Sequence, residues 1–213
     1  MIYKGMKNII LFCTIVLMSA CNGSEKIKTS EEKMDLKSIN DSIVQLISIF
    51  QQKQDSTALK LALVLNDKAI ALDSLNKDQF YNLNTRIQIL GLLNRYKEAF
   101  LLKEKILSKD KLNIDRLIYY GQKYKLKGQA DSSEVYFNEA IIQCDKLLND
   151  TLNTDIVLKK IEVYIYQNKV EDAKIILNQA LQKSPDNETL MSLRENFGEY
   201  YKIVNDLFQK IKL

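Results

Sequence analysis

Three cysteines, at positions 13, 21 and 144, are the residues of this 213-residue chain best suited to covalent chemistry. A thiolate is a strong nucleophile that attacks an electrophilic lipid donor or a disulfide, and its reactivity needs an electropositive, partly exposed setting. Cys13 and Cys21 stand in the N-terminal segment, so Cys144 is the only thiol of the remainder and cannot form an intramolecular disulfide there. A lone cysteine among helical apolar neighbours reads as a small buried hydrophobe. Other reactive combinations are missing. Histidine is absent, which removes the usual general base near neutral pH, the usual triad base and the commonest transition-metal ligand. The acid pairs Glu31-Glu32 and Glu171-Asp172 fall in a polar stretch or at a helix start, where solvation or helix-dipole complementation accounts for them. Neither is placed to converge on a partner across a cleft, as glycoside hydrolysis requires. Lys123, Lys125 and Lys127 spread around a helix as solubilising surface rather than forming an anion site. No glycine-rich phosphate loop, metal-ligand spacing or nucleophile-base pair occurs. The expectation is a protein without catalytic residues, metal or cofactor.

Cys21 is the exception, because of what precedes it. Residues 1–20 carry Lys4 and Lys7 and then an uncharged apolar run from Ile9 to Met18. This is the three-part pattern of a secretory signal peptide. The run is about half of the ~20 residues needed to cross the hydrocarbon core, which disfavours a lasting transmembrane helix. Leu17-Met18-Ser19-Ala20-Cys21 then resembles the bacterial lipobox, with Met18 at the place usually taken by Leu. That resemblance implies cleavage before Cys21, diacylation of its thiol (palmitate or a similar chain) and an anchor in the bilayer. Two or three acyl chains hold firmly where one gives only marginal binding. Residues 21–36 are polar and of mixed charge, and read as a lipidated, flexible tether averaging roughly 20 Å end to end and reaching about 50 Å when extended. Asn22 is not the Asp tied to inner-membrane retention in enteric bacteria, so the expected address is the cell envelope, on the outer membrane.

Composition bounds the rest. A 46% hydrophobic chain can bury a core, and 6 Gly with 1 Pro are too few for the many turns of a sandwich or barrel. Without Lys4 and Lys7, 29 basic residues face 27 acidic ones, a balance that offers no concentrated basic face for nucleic acid. An all-α fold follows.

Self-similarity organises the helices. Asn76-Lys77-Asp78, Asn113-Ile114-Asp115 and Asn153-Thr154-Asp155 recur at intervals of 37 and 40 residues, each before an apolar-periodic stretch. The three Asp are expected as N-caps, since a carboxylate can accept the free N–H groups of a first turn. Three apolar sets follow at helical spacing: Phe80, Leu83 and Ile87; Leu117, Tyr120 and Tyr124; Val157, Ile161 and Tyr164. Polar breaks at Asn94-Arg95, Lys127-Gly128-Gln129 and Gln167-Asn168-Lys169 then separate each first helix from a second.

These hairpins resemble the tetratricopeptide repeat (TPR). The third unit keeps the family spacing through Leu117, Tyr120-Gly121, Tyr124, Gly128, Ser133, Phe137 and Ala140. The fourth keeps it through Val157, Tyr164, Ala173, Leu177, Ala180 and Pro185, although Lys160-Ile161 replaces Leu-Gly. The second has Phe80-Tyr81-Asn82-Leu83 and Arg95 to Ala99, and a degenerate first unit starts near Ser38 and ends with Ala62 and Ala69. Small residues at Ala99, Gly121, Ala140, Ala173 and Ala180 would let helices approach. The resemblance implies an α-solenoid of about four TPR-like hairpins over residues 37–187, closed by capping helices over 188–213.

Such arrays bind an extended peptide or a helix on a concave wall made by the first helix of each unit. Residues expected to point away from the packing face, and so to line that groove, are Tyr81, Thr85, Gln88, Ile118, Gln122, Lys125, Leu158, Glu162 and Ile165. Tyr81, Gln122 and Glu162 do not match the Lys, Asn and Arg set with which chaperone-type repeats clamp a carboxylate. The expected role is a membrane-anchored adaptor or scaffold that holds a protein or peptide partner of the envelope, and not nucleic acid. The alternative is a surface solute-binding lipoprotein capturing glycan or peptide, for which the many tyrosines would serve as a platform. Packing explains most of those tyrosines, and the absence of Trp weakens a glycan site.

Overall fold

The computed structural model describes residues 35–73, 78–148 and 152–211; the expected signal peptide, the expected lipid-attachment residue Cys21 and nearly all of the expected tether lie outside the described residues. Among the described residues the chain is all-helical, with ten α-helices, one 3-10 turn and no strand. The helices are α1 (Leu36–Lys53), α2 (Ser56–Leu72), α3 (Gln79–Leu92), α4 (Tyr96–Lys103, extended by the 3-10 turn Glu104–Ile106), α5 (Ile114–Leu126), α6 (Ala130–Leu148), α7 (Thr154–Tyr166), α8 (Val170–Lys183), α9 (Glu188–Glu195) and α10 (Phe197–Lys210). The pairs α1–α2, α3–α4, α5–α6 and α7–α8 pack as consecutive hairpins, and α2 on α3 and α6 on α7 join neighbouring pairs.

Short polar side chains start the helices by taking the unpaired N–H groups of the first turn. The Asp35 carboxylate accepts from the Ser38 amide at 2.7 Å, so helix begins at Leu36, inside the segment expected as tether. Asp55 accepts from the Thr57 amide at 2.8 Å. Further along, the expected caps are corrected. Asn113 accepts from the Arg116 amide at 3.2 Å, and Asn153 accepts from the amides of Asp155 and Ile156 at 3.0 and 3.3 Å. Asp115 and Asp155 lie two residues further on, within the first turn, where a carboxylate complements the dipole instead. Asp78 occupies the N-cap position of α3 without a side-chain cap bond.

One turn geometry recurs between the helices of each hairpin. Gln54, Asn94, Gly128 and Asn168 all have positive φ, between 57° and 73°, a backbone region that Gly and Asn enter at least cost. In the last three, the residue at positive φ donates its N–H three residues back and the next residue donates five back: Asn94 to Gly91 and Arg95 to Leu90, Gly128 to Lys125 and Gln129 to Tyr124, Asn168 to Ile165 and Lys169 to Tyr164. The polar breaks expected from sequence are these turns.

Apolar stripes then close the hairpins. Ile39, Ile43 and Ile47 of α1 meet Leu59, Ala62 and Ala69 of α2 and Ile89 of α3. Leu117 and Ile118 of α5 meet Phe137, Ala140 and Cys144 of α6, with Val163 reaching in from α7. Val157, Ile161 and Ile165 of α7 meet Ala173, Leu177 and Ala180 of α8 together with Leu190, Leu193, Phe197 and Val204 of α9 and α10. Close approach depends on small residues: a Cβ on Gly121 would stand 2.5 Å from the Phe137 ring. Phe80 departs from expectation. It is 65% exposed, because the buried stripe of α3 runs through Asn82, Leu83, Ile89 and Leu90, and Phe80 falls on the other side of the first turn.

Candidate helix-binding face

The C-terminal helix α10 lies across the first helices of earlier hairpins. Its apolar positions Phe197, Tyr200, Tyr201, Val204 and Phe208 recur at three or four residues, so a single stripe faces one way. Phe197, Val204 and Phe208 are buried by that placement. The helix packs on α7 and touches α4.

Contacts mark its path. The Tyr200 hydroxyl donates to Glu162 of α7 at 2.8 Å. The Phe208 ring lies 5.6 Å from the Tyr166 ring at the end of α7, and Tyr166 in turn stacks 6.0 Å from Phe137 of α6. Lys125, at the end of α5, donates to the Tyr166 carbonyl while its ammonium sits 5.8 Å above Phe208. Lys210 reaches the Tyr96 ring at the start of α4, 5.7 Å from ammonium to centroid. Helix α10 thus runs from α7 past the end of α5 towards α4.

Burial perturbs the two charged groups beneath α10. Desolvation pushes the Glu162 carboxyl above its ordinary range, partly offset by the Tyr200 hydroxyl and by Lys103 and Lys159. Desolvation likewise lowers Lys125, opposed by Glu134. Neither group makes a close ion pair among the described residues, so each is held by dipoles and ring faces.

The nine residues expected to line a groove divide by burial. Leu158 packs at the edge of the α7–α8 core, Glu162 and Lys125 meet α10 as described, and Thr85 and Gln88 are half-buried on α3. Tyr81 is 44% exposed and borders an open cavity of about 460 Å³ with Leu36, Lys37, Asn40, Asp41 and Asp78. Ile118, Gln122 and Ile165 require correction. All three are buried, because α5 and α7 are packed by neighbouring hairpins on more than one side, so these residues serve the core and present no surface to a partner. Cys21 lies outside the described residues.

Sequence reasoning missed the α10 stripe as an occupant of this face, although its aromatic periodicity was visible. It also missed a polar node that fixes α4 to α5. Glu104 accepts from Lys123 at 2.8 Å, from Tyr120 at 2.9 Å and from Tyr119 at 3.1 Å, beside a Phe100–Tyr119 stack of 4.7 Å. The Lys123 ammonium, ahead of the two hydroxyls, holds the Glu104 carboxyl below its ordinary range. Lys123 therefore belongs to an ion pair, with Glu104. The tyrosines largely face one another: Tyr136 lies 5.6 Å from Tyr120 and 5.3 Å from Tyr124. Cys144 is fully buried, and burial pushes its thiol up to about 11.

No family model matches the chain, no curated protein is significantly similar to it, and no solved structure matches it. Among the described residues no helix is long and apolar enough to cross a membrane, and no group of His, Cys, Asp or Glu could hold a metal ion.

Proposed function

We propose that this protein is a lipid-anchored adaptor of the bacterial cell envelope, which binds a helix of a partner protein on the face formed by α5 and α7. In this reading the four hairpins stack as a TPR-like solenoid, acylated Cys21 holds the chain to the outer membrane, and the tether lets the helical array stand off the lipid. The protein acts by holding a partner and performs no reaction of its own.

The observation that carries the reading is the reception of α10. A surface that buries Phe208 against Tyr166, accepts Tyr200 on Glu162 and sets Lys125 over an aromatic face has the chemistry to bind an amphipathic helix bearing spaced aromatic groups. The interlocked tyrosine rings offer less to a sugar, whose stacking needs an open face.

Crosslinking in the native membrane tests it. Wild type is compared with a Tyr166→Ala, Glu162→Lys variant whose helicity is confirmed by circular dichroism. Loss of specific envelope proteins from the variant is the expected result, and an unchanged set of captured proteins overturns the assignment of this face. The anchor is tested separately: Cys21→Ser is expected to abolish palmitate incorporation and to release the protein from membranes, and retention of the label overturns the lipidation.

A further inference from the structure

Helix α2 is apolar on two sides. One side carries Ala58, Leu59, Ala62 and Ala69 and is buried in the first hairpin. On the side turned away, Leu61, Val64 and Leu72 stand at i, i+3 and i+11 with Lys68 at i+7, and the three apolar residues are each a little over half-exposed. A helix that is apolar all round is normally covered on every side, and a surface stripe of this kind marks a contact with something apolar.

Position, reach and charge together say what that is. Half of the large apolar side chains exposed among the described residues fall within residues 49–81, in the first hairpin and the start of the second. The exposed apolar surface is thus concentrated at the end of the array that follows Cys21. Only fourteen residues lie between Cys21 and the start of helix at Leu36, so this end stays within about 50 Å of an anchor at Cys21. The tether that lets the array stand off the lipid therefore also keeps its first hairpin near it. Short linkers give effective concentrations of about 1 mM, at which a surface of only millimolar affinity is already half-occupied.

Charge separates this stripe from an ordinary wet surface. Lys60 and Lys68 are exposed beside it, and Asp67, the one acid of α2, is paired with Arg86 of α3. Lysine stems lie along apolar surface while their ammonium groups stay at the level of lipid phosphates. Helix α6 shows the contrast. Its exposed Val135 and Ile142 alternate at helical spacing with Asp131 and Glu139, whose carboxylates suit water and oppose a phosphate surface.

We infer that the outer face of α2 rests on the lipid surface to which Cys21 is anchored, with Leu61, Val64 and Leu72 entering the boundary between headgroups and acyl chains and Lys60 and Lys68 meeting the phosphates. This rests on the anchor in the reading above. It adds an orientation to that reading, because the first hairpin then touches lipid and the later helices α5 and α7 are left to the partner.

The test uses residues 21–213, which contain every described helix, coupled through Cys21 to a maleimide-bearing lipid in vesicles of phosphatidylethanolamine and phosphatidylglycerol. Cys144 is buried and does not compete for the coupling. The chain has no Trp, so Val64→Trp supplies a single reporter, and Val135→Trp at an exposed apolar position of α6 supplies the control. Lipids brominated on their acyl chains are expected to quench the emission of the Val64→Trp chain and to leave that of the Val135→Trp chain unchanged. Adding Leu61→Glu and Leu72→Glu, both at exposed positions, is expected to abolish the quenching with the circular dichroism unaltered. Equal quenching of the two reporters, quenching of neither, or quenching that survives the two glutamates overturns the inference. A dimer of the uncoupled chain that the same glutamates dissolve, with no quenching of the Val64→Trp chain in vesicles, gives the face to a second copy and overturns it as well. Palmitate incorporation keeps this result apart from the reading beneath it. If Cys21 takes up no palmitate in the bacterium, the anchor falls and the lipid contact falls with it. If palmitate is taken up and the vesicles show no selective quenching, the anchor stands and only the contact of α2 is removed.

Discussion

The hydroxyl of Tyr200 donates to the Glu162 carboxylate at 2.8 Å, joining the C-terminal helix to the first helix of the fourth hairpin. Burial holds that carboxyl above its ordinary value, with Lys103 and Lys159 favouring its charge and Asp115 opposing it. A folded value raised above the unfolded one contributes stability that is complete below the unfolded value and lost as pH rises through the folded one. Glu162→Gln keeps an acceptor for Tyr200 and removes the charge. It is therefore expected to be at least as stable as wild type at pH 7, with any advantage vanishing below about pH 4. Urea midpoints across that range check it, and a Gln variant that is less stable at pH 7 contradicts it.

Gly121 faces Phe137 with no room for a methyl group, since a Cβ would stand 2.5 Å from two ring atoms. Gly121→Ala should cost about 1–3 kcal/mol through overpacking, against a helix-propensity gain of up to about 1 kcal/mol. Gly91→Ala is the matched control, because nothing lies within 4 Å of its Cβ position, and it should be neutral or mildly stabilising. Chemical denaturation of the two variants reads the difference. Adding Phe137→Leu should recover part of the loss at Gly121.

Cys144 is buried in the α5–α6 core and its thiol is pushed up to about 11 by desolvation, although nearby Lys160 favours the thiolate. On the order of one thiol in a few thousand is then ionised at pH 7.5. A thiol reagent should label the native protein no faster than it unfolds and label the urea-unfolded protein promptly. Fast labelling of the folded protein at pH 6 would instead reveal an activated thiol and reopen a catalytic role.

Glu104 gathers Lys123, Tyr120 and Tyr119, and the Lys123 contact is first among the causes that lower its carboxyl. The sign here is opposite to that of Glu162. Stability is present above the unfolded carboxyl value of 4.5 and is lost as pH falls through the lowered folded value. The side chain is 36% exposed, so solvent screening limits the effect, and Glu104→Gln should cost about 1 kcal/mol at pH 7. That cost should shrink as pH falls below the unfolded value; a cost independent of pH would assign the node to packing instead.

Much of the helical pattern was legible because it is local. The breaks at Asn94, Gly128 and Asn168 announce themselves as residues that tolerate positive φ after an amphipathic run, and all three do adopt it. Gly121, Ala140 and Ala173 are recognisable as approach points from size alone, and they are buried there. Cap positions were less legible. Asn and Asp two residues apart compete for one role, and at Asn113 and Asn153 the Asn starts the helix while the Asp turns to the dipole and, for Asp115, to an ion pair with Lys159. Phe80 misled for a related reason, since a first-turn residue has no preceding turn to show which way it faces.

The sequence by itself determined where this chain is helical and where it turns, because caps, left-handed residues and apolar spacing act over four or five residues. Which faces remain open was decided only by the tertiary structure. Ile118, Gln122 and Ile165 share the spacing of surface residues on an isolated hairpin and become core once neighbouring hairpins and α10 arrive. Glu162 and Lys125 look like ordinary surface charges in the chain, yet burial shifts both, and Tyr200 and Phe208 of α10 lie against them. Burial depends on contacts between residues some forty apart and more, such as Tyr200 with Glu162, and no local pattern encodes them.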